Sequence, residues 1–156
     1  MSIWFNSPNV DQLNEFGHQT LNEALGIELT EVTENSLKGR MPVDHRTTQP
    51  AGVLHGGASV AFAETLASWA GHMVVDPDNY HAVGLDINAN HVRPAMPGYV
   101  YGEATPAALG RTVQVWEIKI TNEEGKLVCI SRCTMAVLPK ANEYTHAHKR
   151  PGAAKN

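Results

Sequence analysis

The sequence has no apolar run near the roughly 20 residues that a membrane-spanning helix needs. Its start, MSIWFNSPNV, lacks a basic region followed by an apolar core, so it does not resemble a secretory signal. Basic residues are also few, because 12 Lys and Arg stand against 16 Asp and Glu. This balance argues against nucleic-acid and anionic-membrane partners, which usually meet a basic face. We therefore expect a cytoplasmic protein with neither kind of partner.

Cysteine is scarce as well. The two cysteines, Cys129 and Cys133, lie four residues apart in a segment typical of a strand, where even spacing places both side chains on one face. We predict two buried thiols rather than a bridge. No metal is expected, because five histidines show no recognised ligand spacing; they are His45, His55, His72, His81 and His91.

The chain length of 156 residues suits one domain. We place this domain at residues 1–138 and predict a disordered tail over 139–156, where large apolar residues are few. Two histidines of the tail, His146 and His148, are expected to be solvated, and a metal site there is the alternative.

Hydrophobic periodicity predicts the order of the elements. A first helix is expected over Asn9–Leu25, with Ser7 and Pro8 as its cap and first turn. A hairpin, a long apolar helix to about Val74 and a loop at 76–79 follow, and then four strand-like runs, at 81–92, 99–105, 112–121 and 127–138. Short links favour antiparallel neighbours, so we predict an α+β fold with one antiparallel sheet packed on the long helix.

The start of the long helix contains one carboxylate in an otherwise apolar run, QPAGVLHGGASVAFAET. Burying the charge of Glu64 costs several kcal/mol unless it is paired, and no Lys or Arg occurs between Arg46 and Arg93. Ser68 lies one turn further on the same face. We interpret Glu64 as a functional carboxylate; the alternative is that it caps a neighbouring element or meets a distant arginine.

The residues before Glu64 predict a second half of the site. His55-Gly56-Gly57 precedes a helix start, where unpaired backbone N–H groups and the helix dipole favour an oxyanion or a polarised carbonyl. Seven residues separate Gly57 from Glu64, which is roughly 10 Å along a helix. A side chain covers that span poorly, so we expect the helix start of one subunit to meet Glu64 of another across a dimer interface.

Three motifs in this order resemble the hotdog-fold acyl-CoA thioesterases: MPVDHRTTQPAGVLHGGASVAFAET, VGLDINANHVRPA and PAALGRTVQVWEIKI. The branch they resemble includes 4-hydroxybenzoyl-CoA and 1,4-dihydroxy-2-naphthoyl-CoA thioesterases and a proofreading thioesterase of enterobactin synthesis. The resemblance implies a long central helix wrapped by an antiparallel sheet, homodimers with shared active sites, and usually a dimer of dimers, the homotetramer.

The resemblance also implies roles for individual residues. Glu64 becomes the nucleophile or general base, and the Gly56 N–H polarises the thioester carbonyl. Gln49 and His55 help to orient the carbonyl and the leaving thiol, and Ser68 lies near the hydrolytic water. CoA is then part of the substrate and no separate cofactor is needed.

The residues that resemble the CoA-binding segments are Gly84, His91, Val92, Arg93, Pro94, Ala108, Leu109, Gly110, Arg111, Thr112 and Val113. The two arginines among them would meet the nucleotide phosphates. Ala108 is a departure, because close relatives often have His at this position.

Three other functions compete with hydrolysis. An acyl-thioester hydratase or dehydratase would share the fold, but its usual His-Phe-Pro-Gly or Asp-Pro-His-type signatures are missing. A non-catalytic acyl-CoA-binding protein would need no buried Glu64, and a metal-dependent hydrolase would need ligand spacing. The acyl group is also open: Phe62, Trp69 and Met73 either line a pocket of aromatic size or belong to the plain core.

Overall fold

The computed structural model describes residues 1–140, which form two short helices, one long helix and six strands. The helices are α1 (Val10–Glu15), α2 (Leu21–Leu25) and α3 (Gly56–Met73). The strands are β1 (Glu28–Val32), β2 (Leu37–Val43), β3 (Tyr80–His91), β4 (Gly98–Leu109), β5 (Val113–Thr121) and β6 (Leu127–Pro139). None of the helices within 1–140 has the length and apolar character needed to cross a membrane.

The six strands form one antiparallel sheet in the order β1-β2-β4-β5-β6-β3. The long helix α3 packs against strands β2 to β6 of this sheet. The predicted α+β class, with one sheet on one long helix, is therefore confirmed. One edge of the sheet is the 12-residue strand β3, and the other edge is the five-residue strand β1.

Close contact between α3 and the sheet depends on two strand glycines. A Cβ on Gly102 would lie 2.6 Å from Leu66 Cδ1, and one on Gly39 would lie 3.0 Å from Leu66 Cδ2. Phe62 and Leu66 are fully buried here and form the centre of the core. The prediction that α3 is buried holds for this face, whereas the face carrying Glu64 and Trp69 is half-buried.

The predicted single helix over Asn9–Leu25 is wrong, because the chain forms α1 and α2 with a turn between them. Gln19 has a φ of 59°, in the left-handed region that interrupts a right-handed helix. The Thr20 side chain then accepts from the Asn22 N–H and caps α2. The expected cap was also misplaced, since the side chain of Asn9 caps α1 by accepting from the Gln12 N–H.

The helix α1 is fixed to the edge of the sheet by one side chain. Asn14 Nδ2 donates to the Leu29 carbonyl over 2.9 Å, and Asn14 Oδ1 accepts from the Leu29 N–H, also over 2.9 Å. The amide therefore occupies both backbone groups of Leu29 in β1, as a neighbouring strand would. A bulge between Leu29 and Glu31 further shortens the regular part of this edge.

The remaining strand predictions agree with the structure apart from their ends. β4 continues to Leu109, past the predicted Thr105, and β6 ends at Pro139, one residue beyond the predicted domain. Cys129 and Cys133 are free and fully buried on one face of β6, as predicted. The tail residues 141–156, with His146 and His148, lie outside the described residues, so the domain limits stay a prediction.

Candidate active site

The start of α3 leaves one backbone donor free. His55 caps the helix, and its Nδ1 accepts from the Gly57 N–H over 2.8 Å. The Ala58 and Ser59 N–H groups donate to the His55 carbonyl. Within residues 1–140 the Gly56 N–H meets no acceptor. The His55 cap thus occupies the neighbouring donors and leaves the Gly56 N–H at the positive end of the helix.

A tight loop positions Gln49 near this helix start. The His55 N–H donates to the Thr47 carbonyl over 2.8 Å, which brings the two ends of the loop together. Gln49 Oε1 accepts from the Ala51 N–H over 2.9 Å. This bond orients the side-chain amide and leaves its NH₂ group without an acceptor among the described residues. Gln49 can therefore donate to a ligand near the helix start.

A cavity of about 380 Å³ adjoins Gly56 and is lined by His91, Val92, Arg93 and Pro94. A Cβ on Gly56 would lie 2.9 Å from His91 Nε2, so the imidazole lies directly against this glycine. Arg93 donates from Nη1 to the Leu127 carbonyl over 2.7 Å and is otherwise exposed. The structure thus brings one predicted CoA segment next to the free Gly56 N–H.

Glu64 lies in a different cavity, a groove of about 580 Å³ that is also lined by Ser68, Trp69 and His72. Its half-buried carboxylate has neither a hydrogen bond nor an ion pair within residues 1–140, so neither structural alternative occurs in that part of the chain. A Cβ on Gly84 would lie 3.0 Å from Glu64 Oε1. The glycine therefore leaves room beside the carboxylate on the β3 side.

Two titratable neighbours do not compensate the charge of Glu64. Burial lowers the pKa of His72, and the nearby His81 and Lys140 lower it further, which favours a neutral imidazole in the groove. Burial, together with the charges of Glu64 and Asp86, raises the pKa of the Cys133 thiol to about 11. A thiol with that pKa is protonated at neutral pH, so Cys133 is a structural residue rather than a nucleophile.

The two halves of the candidate site do not meet within one chain. Glu64 and Ser68 line the groove, whereas Gly56 lines the cavity beside His91. Since both Gly56 and Glu64 belong to the rigid helix α3, the helix rise fixes the separation of their backbones along the helix axis at roughly 12 Å.

The two predicted phosphate-binding arginines are also far apart. The Arg93 N–H donates to the Val128 carbonyl at one end of β6, whereas Arg111 belongs to the β4–β5 turn, where Thr112 accepts from the Val137 N–H. Nine residues of strand separate Val128 from Val137, which is about 30 Å. One chain therefore does not bring Arg93 and Arg111 to a single diphosphate.

The second predicted CoA segment, 108–113, is divided among three elements. Ala108 and Leu109 end β4, Val113 begins β5, and the turn between them contains Arg111. A cavity of about 430 Å³ lies here, lined by Leu109, Gly110 and Arg111 together with Val75 and Tyr80. It is separate from both the groove and the cavity beside Gly56.

Sequence reasoning missed the wall of the groove that faces α3. Phe16 lines it from the α1–α2 turn and Leu21 from the start of α2, and they are 71% and 60% exposed. The Phe16 ring packs against Trp69 with centroids 6.1 Å apart. The sequence did contain one signal, because the large aromatic residue Phe16 does not lie on the apolar face of the predicted helix. Of the candidate pocket residues, Trp69 lines the groove, whereas Phe62 is buried in the core.

Comparison with known families gives one matching family model, the thioesterase superfamily, over residues 51–129. A Vibrio cholerae relative, provisionally named an esterase, is 55% identical over 137 residues, which cover 88% of this chain and 91% of the relative. A 1,4-dihydroxy-2-naphthoyl-CoA hydrolase of Escherichia coli is 44% identical over 136 residues, covering 87% and 99% of the two chains.

The solved structures to which the chain is similar include thioesterases as well. A Pseudomonas aeruginosa thioesterase, solved with one glutamine replaced by alanine, has a TM-score of 0.88 and 45% identity over 89% of this chain and 100% of its own. A Staphylococcus aureus thioesterase with 34% identity has a TM-score of 0.73, over 76% of this chain and 98% of its own. That protein was solved with a glutamine replaced and, separately, with a glutamate replaced.

Proposed function

The chain belongs to the thioesterase superfamily and is a thioester hydrolase of the hotdog fold, and we propose that it converts an aromatic acyl-CoA to the free acid and CoA. The observation that carries this proposal is the carboxylate of Glu64, which is half-buried in an aromatic-lined groove and has no partner within residues 1–140. An unpaired carboxylate in a cleft is poised to act as a base or a nucleophile.

In the proposed reaction the Gly56 N–H donates to the thioester carbonyl oxygen and stabilises the negative charge that develops there. Glu64 either removes a proton from water as the water attacks, or attacks the carbonyl carbon itself to form a mixed anhydride that water then cleaves. In both routes the carbon–sulfur bond breaks and the electron pair leaves with the CoA sulfur. The products are one carboxylic acid and one thiol, and no cofactor takes part.

The roles of the other polar residues follow from the same proposal. The free NH₂ group of Gln49 donates to the carbonyl or to the leaving sulfur, and His55 holds the helix start so that the Gly56 donor points outward. Ser68 positions the water beside Glu64. In the Staphylococcus aureus thioesterase the replaced glutamine and glutamate are separated by the same number of residues as Gln49 and Glu64, which supports pairing these two in one site.

The proposal includes a site shared between two subunits, assembled as a homodimer and further as a dimer of dimers. The separation of Gly56 from Glu64 supports it, because each residue would complete the site of the other chain. The long edge strand β3 supports it as well, because the outer backbone groups of this strand face no other strand within residues 1–140. In addition, the apolar side chain of Leu85 on β3 is 62% exposed. Arg93 and Arg111 would then reach one CoA from different subunits.

An acyl-CoA panel tests the activity and the aromatic preference together. We expect free thiol from benzoyl-CoA and naphthoyl-CoA with a kcat/KM at least about tenfold above that of decanoyl-CoA, because rigid rings lose little entropy on entering the groove. The measurement is thiol release against a colorimetric reagent. Binding of acyl-CoA with no release of thiol would favour an acyl-binding protein, and hydration of an enoyl-CoA would favour a hydratase.

Two substitutions at Gly56 test the backbone donor. Alanine adds a Cβ that would crowd His91, and proline adds a similar Cβ while also removing the N–H. Proline suits this first helical position, and the φ and ψ of His55, −70° and 130°, suit a residue before proline. We expect kcat of Gly56→Pro to be about a hundredfold below that of Gly56→Ala. Equal kcat values in two folded variants would remove the N–H from the mechanism.

A further inference from the structure

Trp69 lies where three cavities meet. It lines the groove that contains Glu64, a cavity of about 290 Å³ beside β1, and a third cavity of about 230 Å³ beside the N-terminal segment. Phe16 lines the groove and the third cavity as well. The Phe16–Trp69 pair is therefore part of the wall that separates these two spaces.

Phe16 is held in this wall by a braced turn. The double hydrogen bond between Asn14 and Leu29 fixes the end of α1 two residues before it. After it, Thr20 Oγ1 donates to the Gly17 carbonyl over 2.6 Å, and the Gln19 N–H donates to Glu23 Oε2 over 2.7 Å. The aromatic ring thus stands at a fixed place on the rim of the groove.

The exposure of Phe16 indicates a role in contacting a ligand rather than in folding. With 71% of its surface exposed, the side chain contributes little to the core. It nevertheless lines the same groove as the carboxylate and packs on Trp69 with the ring planes tilted by 37°. A flat aryl group in the groove can pack against both rings, whereas an extended alkyl chain would have to pass between them.

We propose that Phe16 is a specificity-determining residue of this thioesterase, which closes the acyl groove against Trp69 and excludes alkyl chains long enough to enter the third cavity. The inference rests on the proposed hydrolysis of aromatic acyl-CoA in the Glu64 groove. It adds that the α1–α2 turn, which lies outside the motifs of the central helix, sets the length limit of the acyl group.

The test compares kcat/KM for decanoyl-CoA and benzoyl-CoA in wild type and Phe16→Ala. We expect the decanoyl-to-benzoyl ratio to rise at least about tenfold in Phe16→Ala, because the groove then opens into the third cavity and the aryl contact is lost. Phe16→Trp keeps an aromatic wall and is expected to keep the wild-type preference. Gln12→Ala is the matched control, since it enlarges the third cavity and leaves the wall intact.

The outcomes separate this inference from the proposed function. An unchanged ratio in an active Phe16→Ala enzyme would overturn the role of Phe16 and leave the hydrolysis of aromatic acyl-CoA standing. An equal rise of the ratio in Gln12→Ala would overturn it too, because cavity size rather than the wall would then decide. If wild type releases no thiol from any acyl-CoA, both proposals fail.

Discussion

Replacing Glu64 with glutamine is expected to lower the turnover of the preferred acyl-CoA at least about a hundredfold, in the range typical for loss of a catalytic base or nucleophile. Glutamine keeps the size and the hydrogen-bonding reach of the side chain, but it can neither take a proton from water nor attack a thioester. The measurement is single-turnover thiol release under saturating enzyme, which separates chemistry from product release.

The same variant should fold at least as well as wild type. Glu64 has no hydrogen bond or ion pair to lose within residues 1–140, and its charge is half-buried. Removing that charge relieves a desolvation cost, so we expect an unchanged or higher Tm in thermal unfolding. Glu34→Gln is the matched control, because the side chain of Glu34 is 80% exposed and does not line the groove. Near-normal turnover by Glu64→Gln would refute the assignment of Glu64.

Mixing two inactive variants is expected to restore activity. In a dimer of Gly56→Pro with Glu64→Gln, one of the two shared sites receives an intact Gly56 from one chain and an intact Glu64 from the other. Random pairing of equal amounts makes half of the dimers mixed, so we expect about a quarter of wild-type activity. If each chain contained a complete site, no combination of these variants would restore any turnover.

The reciprocal mixture checks the same geometry from the opposite direction. Wild type is paired with a chain that carries both Gly56→Pro and Glu64→Gln. In a shared-site dimer both sites of the mixed species are damaged, so about a quarter of the activity remains, from wild-type dimers alone. Separate sites would leave about a half. Subunits with different affinity tags allow the mixed species to be isolated and measured directly.

The sequence predicted those features of the site that depend on residues close together in the chain. The helix start at His55-Gly56-Gly57 and the absence of a nearby cation for Glu64 could be deduced, because capping and charge spacing act over a few residues. The break between α1 and α2 was missed because Gly17 fits a helical stripe, and nothing in the sequence around Gln19 predicts its left-handed φ of 59°.

The distances across the sheet could not be deduced in this way. Arg93 and Arg111 stand 18 positions apart in the sequence and belong to two motifs that both resemble CoA-binding segments. Antiparallel pairing nevertheless places them at opposite ends of the sheet. Arg111 lies in the turn that joins β4 to β5, whereas Arg93 follows the end of β3, beside the start of β6. The Phe16–Trp69 contact and the hydrogen bonds of Asn14 to β1 likewise join residues far apart in the sequence, and sequence spacing does not predict them.

The hydrogen bonds between Asn14 and Leu29 also bear on the growth of assemblies. A sheet with two open edges can add copies of itself at both sides and extend into a fibre. Here the β1 edge is short, bulged and partly occupied by a side-chain amide, whereas within residues 1–140 the β3 edge is long and uncovered. The proposed pairing through β3 would use the open edge of both copies, so strand addition would stop at two chains and the paired sheet would be bounded by a β1 strand at each end.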